Sequence, residues 1–176
     1  MASNIPKRYE NAEYKDIPSN IRKLFEVIKE TRKGIYIHGG VGTGKTHIAY
    51  ALKSGASEVL KIRTWDIRVY NTIEMLREFR LDFDRHQSSK KYLEEDIMDF
   101  KGILILDDIG AEKLSDWVFE RFYLIINHRY EEMLPTIFTS NLPIADLAER
   151  IGDRTVSRIV EMCDIVKIEG KDRRLK

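Results

Sequence analysis

The sequence predicts an α/β domain in which helices flank a mostly parallel five-stranded sheet. Short runs of β-branched and aliphatic residues alternate with segments of helical periodicity, which is typical of crossover connections between parallel strands. The run 103–106 is wholly apolar, as expected of a strand buried on both faces of such a sheet. A length of 176 residues fits one domain with its own core.

The amino-terminal part of the chain predicts a leader followed by a helix. Residues 1–18 are polar and show no sustained period, so we expect an extended leader that lies on a domain formed by residues 19–176. After Pro18, apolar residues recur at the spacing of an amphipathic helix. These residues are Ile21, Leu24, Phe25 and Ile28. We expect Ser19 to cap this helix and Gly34 to end it.

The remaining elements follow from periodicity in the same way. Strands are expected at 35–38, 67–70, 103–106, 136–139 and 165–168. Further helices are expected at 46–53, 72–79, 92–100, 117–133 and 153–162. The polar stretch 82–91 predicts a loop.

Composition and charge exclude several classes of protein. The net charge of +1 gives no general affinity for nucleic acid, so any such binding must come from a local patch. No apolar run approaches the roughly 20 residues that a membrane-spanning helix needs, and the start of the chain lacks the apolar segment of a signal peptide. The single Cys163 cannot form an internal disulfide. We therefore expect a cytoplasmic protein that does not enter membranes.

A glycine-rich segment between the first strand and the next helix matches the phosphate-binding pattern G-x-x-x-x-G-K-[ST]. The residues expected to contact a nucleotide are Gly39, Gly40, Val41, Gly42, Thr43, Gly44, Lys45, Thr46 and His47. Glycine permits the positive φ angles with which backbone N–H groups surround a phosphate. Lys45 can reach the β- and γ-phosphates of ATP, and the Thr46 hydroxyl can ligate Mg²⁺. The alternative is a chance match in a glycine-rich turn.

Two acids follow the apolar run directly. Asp107 and Asp108 would lie at the carboxyl edge of the sheet, where open α/β folds bind ligands. Asp107 is expected to hold Mg²⁺ together with Thr46, and Asp108 to polarise the attacking water. The pair favours hydrolysis of ATP over phosphoryl transfer to a small molecule. Alternatively, both are solvated acids that open a turn.

Two further polar groups extend the predicted site. Asn141 follows the fourth expected strand and can donate to the γ-phosphate or orient the water, although it also fits a turn residue before Pro143. Arg154 and Arg158 lie one helical turn apart on one face. Either guanidinium can neutralise transition-state charge in a neighbouring subunit, or both belong to an ordinary surface helix paired to acids.

These motifs together resemble the AAA+ domain of the bacterial helicase loader family, DnaC and DnaI, and of the related transposition helper IstB. Beyond the generic nucleotide motifs, the likeness rests on the run from Leu106 to Glu112, on 139–142, on the run from Asp153 to Ile159, and on the run from Glu161 to Cys163. The resemblance extends from about Ile5 to Arg174. It implies an AAA+ P-loop fold without a carboxyl-terminal helical lid.

The resemblance also implies a function. Members of this family assemble with ATP as homo-oligomers, bind single-stranded DNA and deliver a replicative helicase. By position, the Walker roles fall to Lys45, Thr46, Asp107 and Asp108, the sensor-1 role to Asn141, and the arginine finger to Arg158 with Arg154 as its substitute. An aspartate at position 108, where most AAA+ enzymes have glutamate, implies slow turnover. A transposase-assisting ATPase and a nucleotide-dependent adaptor with little hydrolysis remain alternatives.

The surface that would contact DNA is less defined. Cationic residues between the second and third strands alternate with aromatic ones that can stack on bases. They are Arg77, Arg80, Arg85, Lys90 and Lys91, with Phe79, Phe83 and Tyr92. Acidic residues share this stretch, so a solvated face fits equally well. The aromatic residues of 117–123 are expected to be core. Tyr9 of the leader is a candidate for contact with the adenine, although no pattern in the sequence supports that contact.

Overall fold

The computed structural model describes residues 5–63, 66–85, 93–113 and 115–170. Its five strands form one sheet in the order β2-β3-β4-β1-β5, and every neighbouring pair is parallel. The strands are β1 (Gly34–His38), β2 (Ile67–Asn71), β3 (Ile103–Asp107), β4 (Thr136–Ser140) and β5 (Cys163–Lys167). The predicted fold class is confirmed.

Helices cover both faces of this sheet. They are α1 (Ser19–Glu26), α2 (Ile28–Thr31), α3 (Lys45–Val59), α4 (Thr72–Arg85), α5 (Leu93–Met98), α6 (Asp116–Glu131), α7 (Ile144–Ile151) and α8 (Asp153–Met162). Two 3₁₀ turns, Lys7–Tyr9 and Tyr14–Asp16, precede them. One core cluster contains side chains from α1 and α3, and the other contains side chains from α4, α6, α7 and α8. None of the described helices has the length and apolar character needed to cross a membrane.

The three central strands of the sheet, β3, β4 and β1, are almost completely buried. Every residue of β3 and β4 is buried, and only His38 of β1 is partly exposed. Their side chains therefore contact helices on both faces, which accounts for the wholly apolar run in β3. Since parallel strands end at one edge, the residues that follow β1, β3 and β4 are brought together there.

Arg129 of α6 lies fully inside the protein. Its Nε donates to Oγ1 of Thr136 at 2.8 Å, and its two terminal nitrogens donate to main-chain carbonyls at 2.8 to 3.3 Å. Those carbonyls belong to Ile97, Phe100, Gly102 and Pro135. Burial is the main reason that the pKa of Arg129 is lowered to about 9. The guanidinium joins α5 and the starts of β3 and β4 to α6.

Several local predictions were wrong. Helix α1 has Pro18 at its N-cap and no side-chain cap, so Ser19 is its first residue instead. The segment up to Gly34 is divided by Val27 into α1 and α2. Helix α4 continues to Arg85, which overturns the predicted loop at 82–85, while 86–91 lie outside the described residues. Helix α7 was not predicted, although Ile144, Leu147, Ala148 and Ile151 recur at helical spacing directly after Pro143.

The leader is not wholly extended, because it contains the two 3₁₀ turns. It does lie on the domain as expected: the ring of Tyr9 stacks on that of Tyr50, with centroids 4.9 Å apart. The Ser54 hydroxyl donates to the Ala12 carbonyl at 2.8 Å, and the side chains of Ala12 and Ile17 are buried. The boundary between leader and domain at residue 18 stays a prediction.

Candidate functional site

The loop between β1 and α3 has the conformation that its glycines permit. Gly42 and Gly44 adopt φ angles of 78° and 98°, in the left-handed region that disfavours other residues. A Cβ atom at Gly39 would lie 2.3 Å from the carbonyl oxygen of Ile168, so this position requires glycine through close approach. Helix α3 begins at Lys45, immediately after the loop, which places its amino-terminal N–H groups beside the loop.

Lys45 is turned back onto this loop. Its Nζ donates to the carbonyls of Gly39 at 2.7 Å and Gly40 at 2.8 Å, and the side chain is buried. A buried ammonium group held by carbonyl oxygens at the mouth of a phosphate-sized loop is a cation positioned for an anionic ligand.

Two threonines hold the carboxylate at the end of β3. Asp107 Oδ2 accepts a hydrogen bond from the Thr46 hydroxyl at 3.0 Å, and its Oδ1 accepts one from the Thr139 hydroxyl at 2.6 Å. Burial raises the pKa of the Asp107 carboxyl, and the two hydroxyls offset part of that increase. Thr46 and Asp107 thus lie together as the sequence predicts. Oxygen ligands of this kind suit Mg²⁺, which otherwise retains water and phosphate oxygens.

Asp108 lies next to this carboxylate with its side chain on the exposed side. Its backbone N–H donates to Thr139 Oγ1 at 2.9 Å, and its Oδ1 accepts a hydrogen bond from Asn141 Nδ2 at 2.9 Å. Strands β3 and β4 are direct neighbours, with Leu106 paired to Phe138 in register. That pairing brings Asn141 to the acids, as the sequence predicts.

Sequence reasoning gave no role to Thr139, although this residue contacts both acids. Its only sequence signal is a polar side chain at a buried strand end, and that signal does not identify the residues it contacts. The contact depends on the pairing of β3 with β4, which single-sequence patterns do not specify.

These groups surround a cleft of about 360 Å³. Its lining consists of Arg8, Tyr9, Val41, Gly42, Gly44, Lys45, Thr46, His47, Asp108 and Asn141. The leader therefore contributes two side chains to the same cleft as the glycine-rich loop. Among the described residues, no group of three or more His, Cys, Asp or Glu side chains could hold a metal without other ligands.

The two candidate arginine fingers lie elsewhere. Arg154 and Arg158 of α8 line a separate surface pocket with Tyr123 and Ser157. The Arg158 guanidinium lies 4.7 Å from the centre of the Tyr130 ring, and its Nε donates to Asn127 Oδ1 at 3.2 Å. Neither arginine is among the residues that line the cleft, and the finger role of either stays a prediction.

The stretch considered for DNA binding divides into separate environments. The Phe79 side chain is buried in the core, which rules it out as a stacking group for bases. The Arg80 guanidinium lies over the Trp117 ring at 4.6 Å, and Arg77 is exposed. Side chains of the other residues in that proposed track, from 82 to 92, lie outside the described residues. Of the aromatic residues at 117–123, only Phe122 is fully buried, and the rest are partly so.

The glycine-rich loop follows β1, and the paired acids follow β3, which is separated from β1 in the sheet by β4. This arrangement defines a P-loop protein of AAA+ type. A solved structure of the DnaC helicase loader has the same architecture, with a TM-score of 0.77 and 31% identity over 93% of this chain and 100% of that one. The model of the IstB-like ATP binding protein family matches residues 9–176. The chain therefore belongs to this family.

Two named proteins are similar to this chain in sequence. The replicative helicase loader DnaI of Bacillus subtilis (strain 168) is 27% identical over 155 residues, which are 81% of this chain and 48% of that protein. A protein of insertion sequence IS21 from Pseudomonas aeruginosa, named for ATP binding, is 28% identical over 155 residues, 84% of this chain and 54% of its own length. The chain thus spans about half the length of these relatives.

Proposed function

We propose that this chain binds Mg·ATP in the cleft and hydrolyses it slowly as part of loading a replicative helicase. The observation that carries the nucleotide site is the contact between Thr46 and Asp107 at 3.0 Å, with the Lys45 ammonium held on the adjoining loop. In this proposal Lys45 binds the β- and γ-phosphates, and the Thr46 hydroxyl and Asp107 carboxylate hold the metal. The metal supplies charge neutralisation on the phosphates.

In this proposal, Asp108 and Asn141, which lie beside the metal site, carry out hydrolysis. Asp108 polarises the attacking water, and Asn141, which donates to Asp108 Oδ1, orients the carboxylate or contacts the γ-phosphate. The Asp108 side chain is one methylene shorter than the glutamate of most AAA+ enzymes, so its oxygen lies farther from the water and turnover is slow. The ring of Tyr9 and the side chain of His47 line the same cleft and are proposed to bind the adenosine part.

The proposed arginine finger completes the site from a second copy of the chain. Arg158 lies on α8 and lines a surface pocket separate from the cleft, where a neighbouring subunit could reach it. ATP would therefore promote assembly, because the phosphates of one subunit bind the cation of the next. Single-stranded DNA binding and delivery of a helicase are proposed from the likeness to helicase loaders.

A transposase-assisting ATPase is the second candidate. The observation that favours it is the family itself, together with the relative from insertion sequence IS21. Such a protein would act on duplex DNA and would not require a helicase.

The deciding experiment measures ATP turnover and DNA binding together. Anisotropy of labelled single-stranded and duplex oligonucleotides is recorded with ATP, with ADP and without nucleotide, alongside phosphate release and light scattering. ATP-dependent binding to single strands supports the loader, and ATP-dependent binding to duplexes supports the transposition helper. Assembly with ATP but without turnover would instead indicate a nucleotide-dependent adaptor.

Lys45→Ala provides the internal test of the nucleotide site. The phosphates lose their cation, so ATP binding and every ATP-dependent change should disappear. The matched control is Lys101→Ala, which removes an exposed lysine paired to Glu132 and should leave binding unchanged. Undiminished ATP binding by Lys45→Ala would overturn the assignment of the cleft.

A further inference from the structure

The backbone of Asp108 has an unusual conformation. Its φ angle is 65°, in the left-handed region that few residues other than glycine adopt. Such a conformation is strained for a residue with a Cβ atom and persists only when neighbouring groups hold it. It directs the Asp108 side chain into the cleft while the preceding Asp107 remains buried. The groups that hold this turn therefore help to determine where the Asp108 carboxylate lies.

Thr72, the first residue of α4, contacts the main chain of this turn. Its side chain is fully buried, and its hydroxyl lies 3.3 Å from the Asp107 carbonyl oxygen and 3.1 Å from that of Asp108. The single hydroxyl hydrogen can be donated to either carbonyl, and the Thr139 hydroxyl accepts a hydrogen bond from the Asp108 N–H.

Glu112 holds the end of the same turn. Its Oε2 accepts a hydrogen bond of 2.8 Å from the backbone N–H of Gly110, which itself has a φ angle of 90°. A Cβ atom at Gly110 would lie 2.8 Å from a methyl carbon of Leu147, so the turn is packed closely as well as hydrogen bonded. The turn from Asp107 to Gly110 is thus fixed at both ends by buried side chains from outside the predicted site.

Burial of the Glu112 carboxylate lowers the stability of the fold, which a residue with a packing role alone would not require. Its side chain is 7% exposed, and burial raises its pKa, an increase that the nearby Thr72 hydroxyl and two backbone N–H groups partly offset. Its Oε1 has no hydrogen-bond partner among the described residues. A buried carboxylate with one unsatisfied oxygen lowers stability relative to an apolar side chain of similar size. Natural proteins tolerate such a cost chiefly at functional positions.

We infer that Glu112 and Thr72 are positioning residues that hold Asp108 in its left-handed conformation and aim its carboxylate at the water that attacks ATP. Neither residue touches the nucleotide, and each acts through the main chain of the turn. The inference rests on the proposed hydrolysis, since it gives that reaction two further determinants.

The test compares shape-matched variants at each position. Glu112→Met removes the acceptor for Gly110 but retains the volume, and it should lower kcat about tenfold to hundredfold, since small misplacements of a reacting group have effects of this size. The Kd of Mg·ATP should remain within twofold, and Tm should be unchanged or higher. Glu112→Gln retains an acceptor for the Gly110 N–H and should restore most of the kcat. Thr72→Val should resemble Glu112→Met, and Thr72→Ser should resemble the wild type.

A purely structural role gives a different result. In that case Glu112→Met would lower Tm, ATP affinity and kcat together, or would leave kcat unchanged, and either outcome overturns the inference. If Glu112→Met fails to fold, the Thr72→Val and Thr72→Ser pair decides on the same criteria.

A second measurement does not depend on turnover. Amide hydrogen exchange of Asp108 should be faster in Glu112→Met and Thr72→Val than in the wild type, with amides of β1 unchanged. If exchange at Asp108 is faster in the variants but the wild type shows no ATP turnover, the positioning inference is retained and the proposed ATPase is rejected. Unchanged exchange at Asp108 in both variants would reject the positioning inference alone.

Discussion

The hydroxyl of Thr46 donates to Oδ2 of Asp107 at 3.0 Å, which joins the first turn of α3 to the end of β3. The two residues are 61 positions apart in the sequence and belong to different motifs. Their contact places a hydroxyl and a carboxylate where one Mg²⁺ can bind both. It also explains why the carboxylate can be buried, because a hydrogen bond replaces part of its lost hydration.

Asp108→Asn should separate nucleotide binding from hydrolysis. The amide retains the shape of the side chain and its contact with Asn141 after rotation, but it cannot polarise water as a base. We expect kcat to fall about 10²-fold or more, as for other general bases, with the Kd of Mg·ATP nearly unchanged. Phosphate release and equilibrium titration with a fluorescent ATP analogue measure the two quantities.

The control for that variant is Asp116→Asn, an exposed acid at the start of α6. It should retain both activities. Equal losses of binding and turnover in Asp108→Asn would move this residue from water activation to structure.

Asp107→Asn should raise stability in the absence of metal, and the gain should depend on pH. Because burial raises the pKa of Asp107 above its ordinary value of 3.8, the folded state binds this proton more tightly than the unfolded state. Stability therefore falls as the pH rises from 3.8 through the raised pKa. The variant should have the higher Tm at neutral pH, with the difference shrinking toward pH 4 in thermal unfolding without Mg²⁺.

If Asp107 holds the metal, the same variant should lose most of the additional stability that Mg·ATP gives to the wild type, because a neutral amide oxygen is a weaker Mg²⁺ ligand than a carboxylate. Asp164→Asn is the control, since Asp164 is a half-exposed acid whose partner is Lys33. It should show no comparable gain in Tm. A wild type that is more stable than Asp107→Asn at neutral pH without metal would contradict the assigned cause of the pKa shift.

Arg158→Ala should be inactive alone and active in mixtures. If its guanidinium acts on a neighbouring subunit, loss of the finger lowers kcat by about 10³-fold. A subunit carrying Asp108→Asn retains Arg158 and can supply it to an Arg158→Ala subunit whose own acids are intact. ATP turnover should therefore reappear when the two variants are combined, with a maximum near equal amounts.

Arg154→Ala serves as the comparison, because Arg154 lines the same surface pocket but is the more exposed of the two. It should retain turnover. If only Arg154→Ala loses turnover and regains it on mixing, Arg154 is the arginine finger. If neither variant is rescued by mixing, neither arginine of α8 acts on a neighbouring subunit.

Arg129→Met should destabilise the fold without altering the nucleotide site. The variant removes one donor from the buried hydroxyl of Thr136 and from each of four main-chain carbonyls, of which that of Pro135 still accepts from the Leu104 N–H. Each acceptor left unpaired costs about 1–3 kcal/mol before relaxation. We expect a loss of at least about 3 kcal/mol in the free energy of unfolding, measured by urea denaturation. Arg150→Met, an exposed arginine of α7, should change it by less than about 0.5 kcal/mol.

The wild-type nucleotide affinity should persist in Arg129→Met at temperatures where the variant remains folded. This outcome would separate the buried guanidinium from the site. A variant with unchanged unfolding free energy would show that the carbonyls find water or other donors.

The local parts of the site could be predicted from the sequence because they depend on neighbouring residues. Positive φ angles such as those of Gly42 and Gly44 favour glycine, and a wholly apolar run ending in acids predicts a buried strand whose end lies at the edge of the sheet. The sequence therefore determined the α/β class, the phosphate loop and the position of Asp107 and Asp108 beside it.

The contacts that complete the site were decided only by the tertiary structure. Thr139 contacts both acids because β4 pairs with β3, and Thr72 contacts the turn because α4 packs beside it, whereas Glu112 lies only two residues from Gly110 and its contact is local. Strand order and helix packing arise from burial summed over the whole core, which no short segment of sequence specifies. The conformational demands of a turn are local, whereas the partners of a buried polar side chain are set by the packing of distant segments.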